Sequence, residues 1–159
     1  MKRGYIEYLK YLRYLLNKKS TTPLYFIYFV TQRCTSRCQH CFIRDDFRKR
    51  DELTLEEIEK VSKSMDNFLF LFLTGGEPFL REDLPEIARI YYVNNRVRKF
   101  QIPSNGSLGD RVIRLTQKTL NYIPQGHLGV TISLDAVGKV HDEIRESRGL
   151  FDRAVSICL

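Results

Sequence analysis

Four short apolar segments alternate with helical segments along this chain. The apolar segments lie at residues 24–30, 68–73, 97–102 and 128–134. Each is short enough for a strand, and the first two, nearly continuous in aliphatic and aromatic residues, are typical of strands buried on both faces of a sheet. Strands that alternate with helices predict an α/β fold with a parallel sheet and right-handed crossovers.

Helix signals fill the intervals between these strands. Thr54 and Glu57 form a capping-box pattern that predicts a helix reaching about residue 66. Asp83 and Pro85 predict a second helix reaching about residue 95. A third helix is predicted at 110–122, and a fourth begins near Phe151. The chain therefore contains about four βα units.

The first 19 residues predict one more helix, which stands before the alternating units. Its apolar positions recur at helical spacing, and its other face is basic. We divide the chain into this amphipathic helix with its linker, residues 1–23, and an α/β core, residues 24–159. A solvated basic face is favoured over a membrane-surface role, because no other feature signals lipid binding.

Composition and charge narrow the class of protein. The 159 residues are 43% hydrophobic and 28% charged, as in an ordinary globular protein, and the net charge of +7 would attract an anionic partner. No secretory signal and no apolar run of about 20 residues is evident, so we predict a cytoplasmic protein without a membrane span. We expect no nucleic-acid partner.

Three of the four cysteines form a C-x3-C-x2-C cluster at Cys34, Cys38 and Cys41. Three thiolates can hold a four-iron, four-sulfur cluster while one iron stays open to a small molecule, which suggests catalysis. A structural zinc site needs four ligands, and His40 is adjacent to Cys41, so zinc is the weaker interpretation. We expect Cys158 to be a buried apolar residue rather than a ligand.

Three further motifs follow the later strands. They are Gly75-Gly76-Glu77-Pro78, Ser104-Asn105-Gly106 and Ser133-Leu134-Asp135. Because the carboxyl ends of parallel strands meet at one edge, where ligands bind in α/β folds, we expect these motifs and the cysteines to surround one pocket.

With these four motifs in this order, the chain from about Tyr25 onward resembles the radical S-adenosylmethionine (SAM) superfamily. It is most similar to the molybdenum-cofactor-biosynthesis and peptide-maturase branch, through residues 73–78 and 141–145. The resemblance implies a partial parallel (β/α) barrel of six βα units, of which four are present. We therefore expect a C-terminally truncated core whose strand at 128–134 lies at an unpaired edge.

The resemblance also implies the chemistry. Cys34, Cys38 and Cys41 would hold a [4Fe–4S] cluster whose fourth iron is chelated by SAM. Reductive cleavage of SAM would then give a 5'-deoxyadenosyl radical that abstracts hydrogen from a peptide or small-molecule substrate. The electron donor would be a protein such as flavodoxin or ferredoxin. A non-catalytic iron-sulfur or zinc-binding module is the alternative.

By the same resemblance, several residues would contact SAM. Gly75, Gly76 and Glu77 would bind its amino group, and His40 would lie near the adenine. The other residues assigned to SAM are Ser104, Asn105 and Ser133. Asp135 is equally compatible with a pocket role and a helix cap, and His141, Asp142 and Arg145 are equally compatible with contact and structural roles. No catalytic side chain is assigned.

Overall fold

A computed structural model describes residues 23–43 and 52–158. The expected N-terminal helix, residues 1–19, lies outside the described residues. The described part contains four parallel strands in the order β1-β2-β3-β4. Their bounds are β1 Tyr25–Thr31, β2 Phe70–Gly75, β3 Lys99–Ser104 and β4 His127–Ile132. The predicted α/β fold is confirmed, and β4 pairs with β3 alone among the described strands.

Within the described residues, five helices connect and follow the strands. They are α1 Leu55–Lys63, α2 Leu84–Asn94, α3 Gly109–Tyr122, α4 Lys139–Ile144 and α5 Leu150–Ser156. The predicted capping box of α1 is present: the Thr54 side chain accepts from the Glu57 backbone N–H, and the Glu57 carboxylate accepts from the Thr54 N–H. The short helix α4 and a 3-10 turn at Pro78–Leu80 were not predicted.

The core lies between the sheet and the helices on one of its faces. Leu71 and Leu73 of β2, and Phe100 and Ile102 of β3, are fully or almost fully buried against this layer. Tyr91 of α2 packs into the same cluster. Because side chains alternate along a strand, each strand contributes every second residue to this core.

The opposite face of β1 is open, so the expectation that residues 24–30 are buried on both faces is wrong for the described part of the chain. Tyr25, Ile27 and Phe29 are 48%, 52% and 45% exposed. Phe26 and Tyr28, which alternate with them, pack against the core. The continuous apolar run thus contains a half-buried strand whose outward residues are also apolar.

Asn95 joins the ends of α1 and α2 inside the protein. Its Nδ2 donates to the carbonyl oxygens of Ser62, Met65 and Asp66 at 2.9, 3.0 and 3.1 Å, and its Oδ1 accepts from the Ser62 hydroxyl. Asn95 is fully buried, so these bonds satisfy carbonyls in the last turn of α1 and just after it. Among the described helices, none is both long and apolar enough to cross a bilayer.

Candidate functional site

The carboxyl ends of the strands surround a cavity of about 260 Å3. All four motifs that the sequence singled out contribute residues to its lining. Of the ten residues assigned to metal or cofactor, nine line the cavity, and Glu77 does not. The lining residues are Cys34, Ser36, Cys38, His40, Cys41, Phe42, Thr74, Gly75, Gly76, Pro103, Ser104, Asn105, Ser133 and Arg145.

The cysteine loop follows β1 and rests on the end of α4. The backbone N–H of Arg37 donates to the carbonyl of Arg145 at 3.2 Å, and that of Gln39 donates to the carbonyl of Ile144 at 2.9 Å. Within the loop, the Cys41 N–H donates to the Cys38 carbonyl at 3.1 Å. These bonds hold the loop so that all three thiols border the cavity.

The three cysteines are free thiols in a partly desolvated setting. Burial raises the pKa of the Cys34 thiol, and burial likewise raises the pKa of Cys38 although the Arg145 guanidinium opposes it. In the described residues, no three His, Cys, Asp or Glu side chains are grouped so as to hold a metal ion. Three thiols around a cavity, with amide and guanidinium donors beside them, fit a cluster of several irons.

The Gly75-Gly76 turn lies directly against the start of the cysteine loop. The Gly76 N–H donates to the Thr31 carbonyl, and the Glu77 N–H donates to the Arg33 carbonyl, both at 2.8 Å. A Cβ atom on Gly76 would lie 2.1 Å from the Arg33 carbonyl oxygen. Gly75 has a φ of 127°, which also favours glycine. Glycine at both positions lets this turn line the cavity with backbone.

Glu77 lies beneath the cavity instead of in its wall, and its side chain is fully buried. Its carboxylate accepts hydrogen bonds from the Ser104 hydroxyl at 3.0 Å and from the backbone N–H groups of Asn105 and Phe79 at 2.7 and 3.2 Å. Burial raises its pKa in spite of these three donors. Glu77 thus connects the turn after β2 to the turn after β3.

Asn105 extends that connection to the cysteine loop. Its Nδ2 lies 2.9 Å from the Thr35 hydroxyl, 3.2 Å from the Ser36 hydroxyl and 3.7 Å from the Cys34 sulfur. Its Oδ1 accepts from the Ser107 N–H at 2.9 Å. The predicted placement of Asn105 at the pocket is therefore observed, but its polar atoms are directed at protein groups.

The segment after β4 completes the wall opposite the glycine turn. Ser133 lines the cavity, and its N–H donates to the Ser104 carbonyl at 2.9 Å. Asp135 forms a two-bond ion pair with Arg145 at 2.7 and 3.1 Å, which lowers the pKa of Asp135. The buried His141 accepts the Asp135 N–H at its Nδ1, 3.2 Å away. This arrangement directs Arg145 to the cavity.

Asp142 and Cys158 lie outside the cavity, next to the two ends of α5. Asp142 accepts from the N–H groups of Gly149 and Phe151, so it caps the start of α5. Cys158 is exposed and does not line the cavity, so the expectation that it is buried is wrong. It follows the end of α5, where its thiol lies 3.7 Å from the Ala154 carbonyl oxygen.

Sequence reasoning missed part of the cavity wall. Ser36, Thr74 and Pro103 lie inside or next to the recognised motifs, so their position in the motif was the available signal. Arg145 stood without an assigned role because nothing local shows that a residue ten positions after Asp135 returns to the cavity. The unpredicted helix α4 is what brings it back.

The sequence of this chain is similar to those of known proteins. The sequence profile described as "Radical SAM superfamily" matches residues 28–158. The chain is 33% identical over 133 residues to Fe-coproporphyrin III synthase of Methanosarcina barkeri, covering 81% of this chain and 31% of that protein. It is 30% identical over 132 residues to the subtilosin biosynthesis protein AlbA of Bacillus subtilis, covering 81% of this chain and 28% of that protein.

A solved structure has the same fold at lower sequence identity. Streptococcus suis SuiB bound to S-adenosylmethionine superposes with a TM-score of 0.64 at 19% identity, covering 96% of this chain and 34% of SuiB. The chain spans about a third of the length of the curated relatives it matches.

Proposed function

This chain belongs to the radical SAM superfamily, and from that premise we propose that its cavity binds a [4Fe–4S] cluster and SAM as part of a radical enzyme. The observation that carries the proposal is the meeting of Cys34, Cys38 and Cys41 with the ends of three other strands around one cavity. When bound, the reduced cluster supplies the electron that cleaves SAM to methionine and a 5'-deoxyadenosyl radical, which abstracts hydrogen from substrate.

The chain's own residues divide the tasks of binding. The three thiols give up their protons when they bind iron. The backbone of Gly75 and Gly76 lines the cavity without side chains, so carbonyl groups there would accept hydrogen bonds from the amino group of SAM. Ser133 would offer a hydroxyl, and His40, which lies at the cavity and is exposed, would be available to pack against the adenine.

Glu77 supports this site from behind. The resemblance assigns it to the SAM amino group, but its two carboxylate oxygens already accept three hydrogen bonds from protein groups. We therefore assign Glu77 a structural role, in which it holds the turn after β2 against the turn after β3. Arg145 lines the cavity and is fixed by its ion pair with Asp135, which leaves one guanidinium nitrogen without a bond to Asp135 and able to donate to a group bound in the cavity.

We place the substrate, a peptide or a small molecule, against the open face of β1 next to the cavity. Phe29 is half-exposed there, and Phe42 packs against it with ring centroids 6.2 Å apart. One relative is named for coproporphyrin synthesis and another for bacteriocin biosynthesis, so a small molecule and a peptide both remain candidates. Apolar side chains at this face suit the apolar part of either substrate.

Anaerobic reconstitution of the protein with iron and sulfide tests the proposal. We expect about four irons and four sulfides per chain, and a reduced-state electron paramagnetic resonance (EPR) signal that changes when SAM is added. Incubation with a strong reductant and SAM should yield methionine and 5'-deoxyadenosine. Stoichiometric zinc with no iron uptake would instead support the non-catalytic zinc module.

The cysteines provide a matched control. Cys34→Ala, Cys38→Ala and Cys41→Ala should each abolish the four-iron cluster. Cys158→Ala should leave iron content unchanged, because Cys158 is exposed and does not line the cavity. Equal loss of iron in all four variants would show that the thiol effects do not report on this site.

A further inference from the structure

Asn105 connects the buried Glu77 carboxylate beneath the cavity with a cysteine sulfur. Its backbone N–H donates to Glu77 at 2.7 Å, and its side-chain Nδ2 lies 3.7 Å from the Cys34 sulfur. We propose that Asn105 is a positioning residue that sets the reduction potential of the cluster by donating a hydrogen bond to the Cys34 thiolate. This inference rests on the proposed function.

The orientation of the Asn105 amide follows from its neighbours. The Ser107 backbone N–H lies 2.9 Å from Oδ1 and can only donate, so that atom must be the acceptor oxygen. The NH2 group is therefore turned toward the cysteine loop. Its two protons face the Cys34 sulfur and the hydroxyls of Thr35 and Ser36, and both hydroxyls can serve as acceptors.

The same bonds leave Asn105 little capacity to bind a cofactor. The residue is only 6% exposed, and its N–H, Oδ1 and Nδ2 all contact protein atoms. The Glu77 carboxylate fixes the backbone of Asn105 from below, so the amide cannot withdraw from the loop without breaking a buried bond. Its position thus fits a fixed donor to sulfur better than a ligand for SAM.

A hydrogen bond to sulfur acts on the electron affinity of an iron-sulfur cluster. One-electron reduction adds a negative charge that is shared with the thiolate ligands, and a nearby N–H dipole stabilises that charge. Asn105 therefore makes reduction by an external one-electron donor easier. Loss of the donor shifts the midpoint potential to a more negative value.

The test compares midpoint potentials of the reconstituted full chain in redox titrations followed by EPR. Asn105→Ala should load iron and lower the reduced-to-oxidised ratio at a fixed potential by about three- to tenfold, the latter being about 59 mV for one electron. Asn105→Asp should produce a larger shift in the same direction, because an anionic oxygen replaces the amide donor.

Thr35→Val is the matched control. It removes the closest hydroxyl acceptor of Nδ2, so the freed proton has only Ser36 and the Cys34 sulfur left to face. We expect its potential to stay at or slightly above that of the unmodified protein, and not to become more negative. An Asn105→Ala protein with full iron content and an unchanged potential would overturn the inference, and so would an equal shift in Thr35→Val.

A measurement on the unmodified holoprotein covers the case in which both Asn105 variants fail to load iron. With asparagine labelled by 15N in the side chain, pulsed EPR of the reduced cluster should show a weak 15N coupling, and absence of that coupling would overturn the inference. If the unmodified chain takes up no iron, the proposed function itself fails. A loaded, SAM-responsive cluster without the Asn105 effects refutes only this inference.

Discussion

Gly76→Ala tests how closely the turn after β2 packs on the cysteine loop. The added Cβ would lie 2.1 Å from the Arg33 carbonyl oxygen and 2.8 Å from the Gln32 carbonyl oxygen, whereas Cβ atoms essentially never approach other atoms within 3.0 Å. The atoms that it meets are backbone, so a side-chain rotation cannot relieve the contact. The turn and the loop must therefore move apart.

The cost follows from what that movement breaks. Two backbone hydrogen bonds join the turn to the end of β1 and the loop after it, from Gly76 to the Thr31 carbonyl and from Glu77 to the Arg33 carbonyl. Each contributes roughly 1 kcal/mol, and forced repacking costs about 1–3 kcal/mol more. We expect the free energy of unfolding to fall by about 3–5 kcal/mol, together with loss of iron uptake.

Urea denaturation of the apoprotein, followed by far-ultraviolet circular dichroism, measures the first effect, and iron content after reconstitution measures the second. Gly109→Ala is the control, because a Cβ there would meet Ile157 at an ordinary 3.5 Å. It should change the free energy of unfolding by less than about 0.5 kcal/mol. A Gly76→Ala protein as stable as this control, with normal iron content, would refute the packing argument.

Three further substitutions test other parts of the structure. Asn95→Leu leaves buried carbonyls without a donor, so urea denaturation should show a loss of about 2–3 kcal/mol. Thr54→Ala removes the cap that interacts with Glu57, and thermal unfolding should report a loss of about 1 kcal/mol. Asp135→Asn removes the ion pair with Arg145 that lowers the pKa of Asp135. A carboxyl group whose pKa is lowered by folding stabilises the protein at pH values above its unfolded-state pKa of about 3.9, and this stabilisation is lost as the pH falls through the folded-state pKa. The variant should therefore be less stable than the unmodified protein at pH 7 and equally stable near pH 2.

The element order of the fold could be predicted because each strand is a separate apolar run and the helices carry start signals. The strand limits were less accurate: β2 and β3 begin two residues later than predicted, since Phe68 and Val97 are buried before their strands begin. For β1, an apolar run could not show that Tyr25 and its alternate neighbours face away from the core. That distinction depends on what covers each face of the sheet.

The composition of the cavity wall could be predicted more fully than the direction of its side chains. The motifs identified the residues at the strand ends, because parallel strands place their carboxyl ends together. They could not reveal that Glu77 turns inward to Ser104, or that Asn105 turns toward Cys34. Those directions are decided by long-range hydrogen bonds, which neighbouring residues in sequence do not specify.

The support of the cysteine loop by α4 has a consequence for the order of events during synthesis. Arg37 and Gln39 donate to carbonyls of Arg145 and Ile144, which follow them in the chain by more than 100 residues. At translation rates of about 5–20 residues per second, these acceptors are made roughly 5–20 s after the cysteines. In a nascent chain the cysteine thiols are therefore exposed before the hydrogen bonds that hold their loop can form. Iron that binds at this stage binds to a loop that α4 does not yet support.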